Sequence, residues 1–196
     1  FPRAVELILG NRKLVPGHDF LISPSSPSVK GTYALHTIKA EDLIRNDFLK
    51  DIPTGYTGFI IIDNRRSSDL DAGDIELLSG KISELLKNPV ANFIGIIELT
   101  SENLVWGTSE DVSQRPYVTV SFPADPDTLE TLYINIKNRF RKKYTTNNVL
   151  GYIRGTEYPD SFFVFTGHYD HLGLMGTDAY FPGANDNASG VAMLLY

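Results

Sequence analysis

Ser161-Phe162-Phe163-Val164-Phe165-Thr166 is apolar at every central position, and Gly167-His168-Tyr169-Asp170-His171-Leu172-Gly173 follows directly. A strand with large apolar side chains on both faces belongs inside a sheet that helices cover on both sides. In such α/β sheets, ligands collect just beyond the carboxyl ends of the strands. His168 stands two residues past Thr166, and Asp170 two residues further on. Extended backbone alternates its side chains, so these two point the same way. A second polar stretch, Gly183-Ala184-Asn185-Asp186-Asn187-Ala188-Ser189-Gly190, leads into an apolar helical pattern of Ala188, Val191, Ala192, Leu194 and Leu195.

An imidazole that binds a metal commonly has its second ring nitrogen held by a carboxylate, which fixes tautomer and orientation. His-X-Asp supplies both groups if the loop turns the carboxylate back onto the ring. A carboxylate at Asp186 has two oxygens and can bridge two ions. Each piece also has a structural reading. A single histidine at a strand end is commonly a hydrogen-bonded structural residue, and Asn185-Asp186-Asn187 before an apolar helix is commonly a set of N-cap residues. Taken in order, after a buried strand and with Gly183-Ala184 ahead of the acid, the pieces favour a metal site.

The rest of the chain bounds the class. It has 196 residues, 42% hydrophobic and 21% charged, with a formal charge of −6. That length suits one large domain or two small ones. The longest apolar runs, such as Phe59-Ile60-Ile61-Ile62, are strand length and far below the ~20 residues that span a bilayer. Acidic residues are scattered, which argues against nucleic acid as a partner. The one basic cluster, Arg139, Arg141, Lys142 and Lys143, reads as a solvated strand end. Cysteine is absent, so disulfides and thiolate metal sites are excluded, and cytoplasm and periplasm both remain open.

Residues 5–9 and 12–15 read as a hairpin about Gly10-Asn11, and residues 33–38 as another strand. Gly58 to Asp63 and Phe93 to Leu99 read as buried strands. Between them Asp74 to Leu86 reads as a helix, with Ile75, Leu78, Ile82, Leu85 and Leu86 on one face and Asp71 or Asp74 as its cap. Tyr117 to Ser121 and Leu129 to Phe140 read as strands, as does Asn148 to Arg154. The Ser/Pro-rich residues 23–31 and the stretch Phe122-Pro123-Ala124-Asp125-Pro126-Asp127 read as linkers. Trp106 reads either as a contact residue on a loop or as a buried anchor. His18 and His36 read as structural histidines.

At His168-Tyr169-Asp170 and Gly183 to Gly190 the chain resembles the di-zinc aminopeptidases related to bacterial leucyl aminopeptidase and glutamate carboxypeptidase. Their pattern is an apolar strand, His-X-Asp, a loop, and Gly-Ala-X-Asp-Asn-X-Ser-Gly opening a helix. Thr146 to Ile153 resembles the family's approach to that strand. The resemblance implies zinc, two ions per intact site, with His168 as ligand to one, Asp186 bridging both, and Asp170 catalytic by orienting His168. His171 lies outside the ligand pattern. The implied reaction is removal of N-terminal residues from peptides by water that the metals activate, and the substrates are peptides. Family members also use a later Glu-Glu pair, a further acidic ligand and a final histidine. Tyr196 lies six residues past Gly190, so the site is expected to be unfinished in this chain and the chain alone inactive.

Residues 31–122 resemble, more loosely, the protease-associated domain inserted in some of these peptidases, through Gly58 to Asp63, Phe93 to Ile97 and Arg115 to Ser121. The expected organisation is therefore a peptidase-domain segment and linker over 1–30, a lid-like β-rich domain over 31–122, and the first part of a mixed-sheet α/β zinc peptidase domain over 123–196. The expected compartment is periplasmic or secreted. Apolar surface left uncovered at Phe162 to Phe165 and Val191 to Leu195 is expected to make the chain self-associate. The alternatives are a non-catalytic protein-interaction module, or a related di-zinc carboxypeptidase or glutaminyl cyclase.

Overall fold

The computed structural model describes residues 2–45, 52–65, 70–89, 92–121 and 125–196. Phe122, Pro123 and Ala124 of the second linker lie outside the described residues. Contacts divide the chain into two units, residues 1–140 with 174–180, and residues 141–173 with 181–196.

The first unit is a mixed α/β structure on an eight-stranded sheet. Its strands are β1 (Pro2–Leu9), β2 (Arg12–Lys13), β3 (Phe20–Ile22), β4 (Val29–Lys39), β5 (Phe59–Asn64), β6 (Gly95–Thr100), β7 (Tyr117–Val120) and β8 (Thr131–Asn138). Their order across the sheet is β2-β1-β8-β4-β5-β6-β7-β3. The long strand β4 joins two halves. Its residues 29–34 pair antiparallel with β8, and 35–39 pair parallel with β5. Strands β5, β6 and β7 continue in parallel, and β3 closes that edge antiparallel to β7. The first linker is thus shorter than composition suggests, because Val29, Lys30 and Gly31 already lie in β4.

Parallel strands need covered faces, and the sequence of β5 answers that need. Phe59, Ile60, Ile61 and Ile62 are all at most 1% exposed. One face is covered by α1 (Ala40–Arg45) and α2 (Ala72–Lys87). Leu43 and Ile44 of α1, with Leu78, Ile82 and Leu85 of α2, pack in one cluster with Ile60, Ile62 and Ile96. Helix α2 starts where Asp71 accepts a hydrogen bond from the Asp74 amide at 2.8 Å, and ends where the Asn88 amide reaches the Glu84 carbonyl. Ile75, on the expected apolar face, is 48% exposed and lines a cleft with Asn64 and Thr100 instead of joining the core cluster. Gly95 is required by packing, since a Cβ there would lie 2.5 Å from the Phe59 ring and 2.7 Å from the Pro116 carbonyl oxygen.

Trp106 is a buried anchor. It is 8% exposed, and its indole N–H donates to the Ile22 carbonyl at 2.7 Å. A short hairpin, β9 (Gly173–Met175) and β10 (Ala179–Phe181), was not apparent from the sequence. Its residues 174–180 belong to the first unit. Met175 is fully buried, the Ile22 amide meets its sulfur at 3.3 Å, and the Gly176 amide donates to the Pro2 carbonyl.

The second unit contains α3 (Ser189–Leu195) after a single π-type turn over Ala184–Ala188. The strands expected over 148–154 and 161–166 do not form. Both stretches run without helix or strand, and no described strand pairs with them. An apolar run becomes a strand only when a neighbour takes up its backbone hydrogen-bonding groups. Phe163 is accordingly 96% exposed and Ile153 97%. Among the described residues no helix is long and apolar enough to cross a membrane.

Candidate metal centre

The polar cluster of the second unit is assembled from the two loops that the sequence singles out. The first loop runs from Gly167 to Leu172 and carries His168, Asp170 and His171. The second departs from helical geometry at Asp186, with φ −118° and ψ 90°, and at Asn187; the Asp186–Asn187 peptide is cis. Gly183 permits the two loops to approach, because a Cβ there would fall 2.5 Å from the Cβ of His171. Helical bonding resumes with the Ala188 amide donating to the Gly183 carbonyl and the Ser189 hydroxyl to the Asn185 carbonyl.

His168 lies between the two acids. Its Nε2 is 3.2 Å from Asp186 Oδ1. Its Nδ1 is 3.0 Å from the main-chain carbonyl of Asp170 and 3.5 Å from that residue's carboxylate. When Nδ1 carries the proton and donates to that carbonyl, Nε2 is left unprotonated and able to bind a metal ion set between it and Asp186. The tautomer is therefore held mainly by the backbone of Asp170, with its carboxylate behind. His171 sits further off, its Nδ1 3.9 Å from Asp186 Oδ2.

The N-cap reading of Asp186 fails on this geometry. Neither the π-type turn nor α3 has a side-chain cap bond, and the Asp186 carboxylate faces the imidazole instead. A bare ion pair at this exposure, 54% for His168 and 73% for Asp186, adds little to stability, at most about 1 kcal/mol. The arrangement thus has no clear structural purpose of its own.

The donor pair suits zinc in kind and in spacing. Imidazole nitrogen and carboxylate oxygen are ordinary zinc ligands. Two of them at about 2.0–2.1 Å from a tetrahedral ion stand about 3.3 Å apart, close to the 3.2 Å found here. The number is short. Among the described residues no group of three or more His, Asp or Glu side chains is placed to hold a metal ion, whereas catalytic zinc takes three protein ligands.

Comparison with known proteins bears on the same residues. Residues 148–196 match the model of Peptidase family M28. Over this segment, about a quarter of its length, the chain is similar to that family. A probable zinc metalloprotease of Leptosphaeria maculans is 43% identical over 51 residues, which is 25% of this chain and 12% of that protein. A probable zinc metalloprotease of Pyrenophora teres f. teres is 32% identical over 92 residues, 46% of this chain and 18% of that protein. The matched stretches thus span less than a fifth of these relatives. Among solved structures, the aminopeptidase from Aneurinibacillus sp. strain AM-1 aligns over 69% of this chain and 31% of its own, at 13% identity and a TM-score of 0.42.

Proposed function

We propose that the protein to which these residues belong is a di-zinc aminopeptidase, periplasmic or secreted. In this reading residues 31–122 form a lid-like domain between a peptidase-domain segment over 1–30 and the peptidase domain that begins near 123. His168 and Asp186 are metal ligands, Asp186 bridging, and Asp170 positions His168. The observation that carries the reading is the His168–Asp186 pair, set at zinc-ligand spacing inside the segment that matches the peptidase family. The zinc metalloprotease names of the relatives support the metal. Bound zinc would supply Lewis acidity at the scissile carbonyl and an activated water near neutral pH. The residues of this chain would do the holding: Asp170 would fix the ring through Nδ1, and His168 Nε2 and the Asp186 carboxylate would hold zinc.

The test is zinc content and zinc-dependent hydrolysis of a panel of aminoacyl arylamides, using the protein expressed from its complete open reading frame. Activity that requires added zinc, and that ranks the amino-terminal side chains, supports the reading. A folded protein that takes up zinc without cleaving any arylamide points to another di-zinc reaction, and one that takes up none removes the site. The 196-residue chain alone is expected to bind zinc weakly and to cleave no arylamide, because a two-ligand site is short of a catalytic zinc site. Zinc-dependent turnover by the isolated chain would contradict this.

The isolated chain is also expected to self-associate. Val149, Leu150 and Ile153 are each at least 87% exposed, and Phe162 to Phe165 at least 67%. Apolar segments of β propensity without a ladder partner pair with one another. Light scattering across a concentration series should show mass rising with concentration. A monomer at every concentration would count against it.

A further inference from the structure

The parallel strands β5, β6 and β7 end side by side, and a cleft of about 520 Å³ opens beyond their carboxyl ends within the first unit. Ligands of open α/β sheets bind at such crevices, and small-molecule sites have volumes of about 300–1,000 Å³. Its polar lining includes Asn64, Glu98, Glu102 and Thr119, its apolar lining Ile75 and Val105.

Glu98 is out of place as a core residue. It interrupts β6 between Ile97 and Leu99, both fully buried. Its Oε1 accepts from Asn64 Nδ2 at 2.6 Å, and its Oε2 accepts from the Tyr117 hydroxyl. Burial and the Glu98 charge hold the Tyr117 phenol well above its usual pKa, so it remains a donor. Two neutral donors thus hold a half-buried carboxylate, and among the described residues no cation pairs with it. The Oδ1 of Asn64 is buried with no hydrogen-bond partner. Reversing that amide would turn oxygen against carboxylate, so the orphan acceptor is a fixed feature. Glu102 adds a second carboxylate, and Ile75 and Val105 are 48% and 88% exposed at the rim.

The cleft thus sets two carboxylates, Glu98 and Glu102, beside an apolar rim, the complement of a donor-rich positive charge on an apolar stem. From them we infer that the cleft binds an organic cation, the ammonium or guanidinium end of a basic side chain, with its charge against Glu98 and its stem along Ile75 and Val105. An anion at the start of α2 is the rival occupant. It is opposed by Glu98 and Glu102, and by Asp71, whose carboxylate already caps that helix. The inference stands apart from the metal centre, since every residue in it belongs to the first unit.

The test is ligand-observed saturation-transfer NMR on the 196-residue chain. The probes are Nα-acetyl-arginine amide, Nα-acetyl-lysine amide, the glutamine amide as neutral control, and inorganic phosphate as anion. Saturable binding of the arginine or lysine amide, absent for the glutamine amide, is expected, and the better of the two identifies the charged group. Glu98→Gln should weaken it about tenfold or more. Glu102→Lys, at an exposed position, should weaken it several-fold, while Glu157→Lys, with the same change of charge in the second unit, should leave it unchanged. If circular dichroism finds Glu98→Gln unfolded, the Glu102 and Glu157 variants decide. Equal binding by those two, binding of the glutamine amide as strong as the cations, or binding of phosphate alone would overturn the inference.

Discussion

Asp186→Ala should bring zinc-dependent arylamide hydrolysis below about a hundredth of the parent rate, and zinc content should fall with it, in protein expressed from the complete open reading frame. Losing an outer-shell partner of a ligand costs about 10–100-fold in affinity or activity, and a ligand that bridges must cost more. Asp170→Ala provides the graded comparison. His168 Nδ1 stands nearer the Asp170 main-chain carbonyl, at 3.0 Å, than its carboxylate, at 3.5 Å, and alanine keeps that carbonyl. The loss in Asp170→Ala should therefore lie near the lower end of that range, about tenfold. Removing the carboxylate that faces Nε2 should be much worse than removing the carboxylate behind Nδ1. If Asp186→Ala stays within a few-fold of the parent, Asp186 is not a ligand. If the two variants are equally impaired, the carboxylate of Asp170 rather than its backbone holds the ring.

How much of this could be read from sequence depended on whether the deciding interaction was local. Helix α2 was legible because Leu78, Ile82 and Leu85 repeat at helical spacing and Asp71 caps within its own first turn. Strands β5 and β6 were legible as short runs of buried aliphatic residues. The His168 and Asp186 loops were legible because their residue types and order are themselves the signal. By contrast, Phe162 to Thr166 has the composition of an interior strand, yet pairing depends on a neighbour that composition does not describe, and no described strand pairs with it. The hairpin at β9 and β10 escaped notice for a similar reason: Met175 and Ala179 are buried against residues more than 150 positions earlier. Glu98 did leave a signal, a lone charge inside Ile96-Ile97-Glu98-Leu99. Reading it required knowing that Asn64 and Tyr117 stand on neighbouring strands.

Arg115→Met should lower the stability of the first unit by about 3 kcal/mol, the loss of hydrogen bonds from a charged group to buried acceptors. For a chain of this size that is roughly 6–12 °C in Tm. Arg115 is 6% exposed. Its guanidinium donates to the carbonyls of Leu85 and Phe93 at 3.0 Å and to that of Asn88, and lies 4.6 Å from the centroid of the Phe93 ring. Two of those carbonyls belong to the end of α2 and its cap, where backbone acceptors lack helical donors and the dipole favours a cation. Burial pulls the guanidinium below its usual pKa, but the group starts so high that it stays charged. One side chain therefore ties the end of α2 to the loop before β6 from a position just ahead of β7. Methionine fills similar volume but leaves those carbonyls without this donor. Arg115→Lys keeps the charge but not the planar fork, which is what reaches several acceptors at once, and should recover less than half of the loss. Thermal unfolding followed by circular dichroism measures both variants. A methionine variant within about 1 kcal/mol of the parent would mean that water replaces the guanidinium at no cost, and that α2 is held by its apolar face alone.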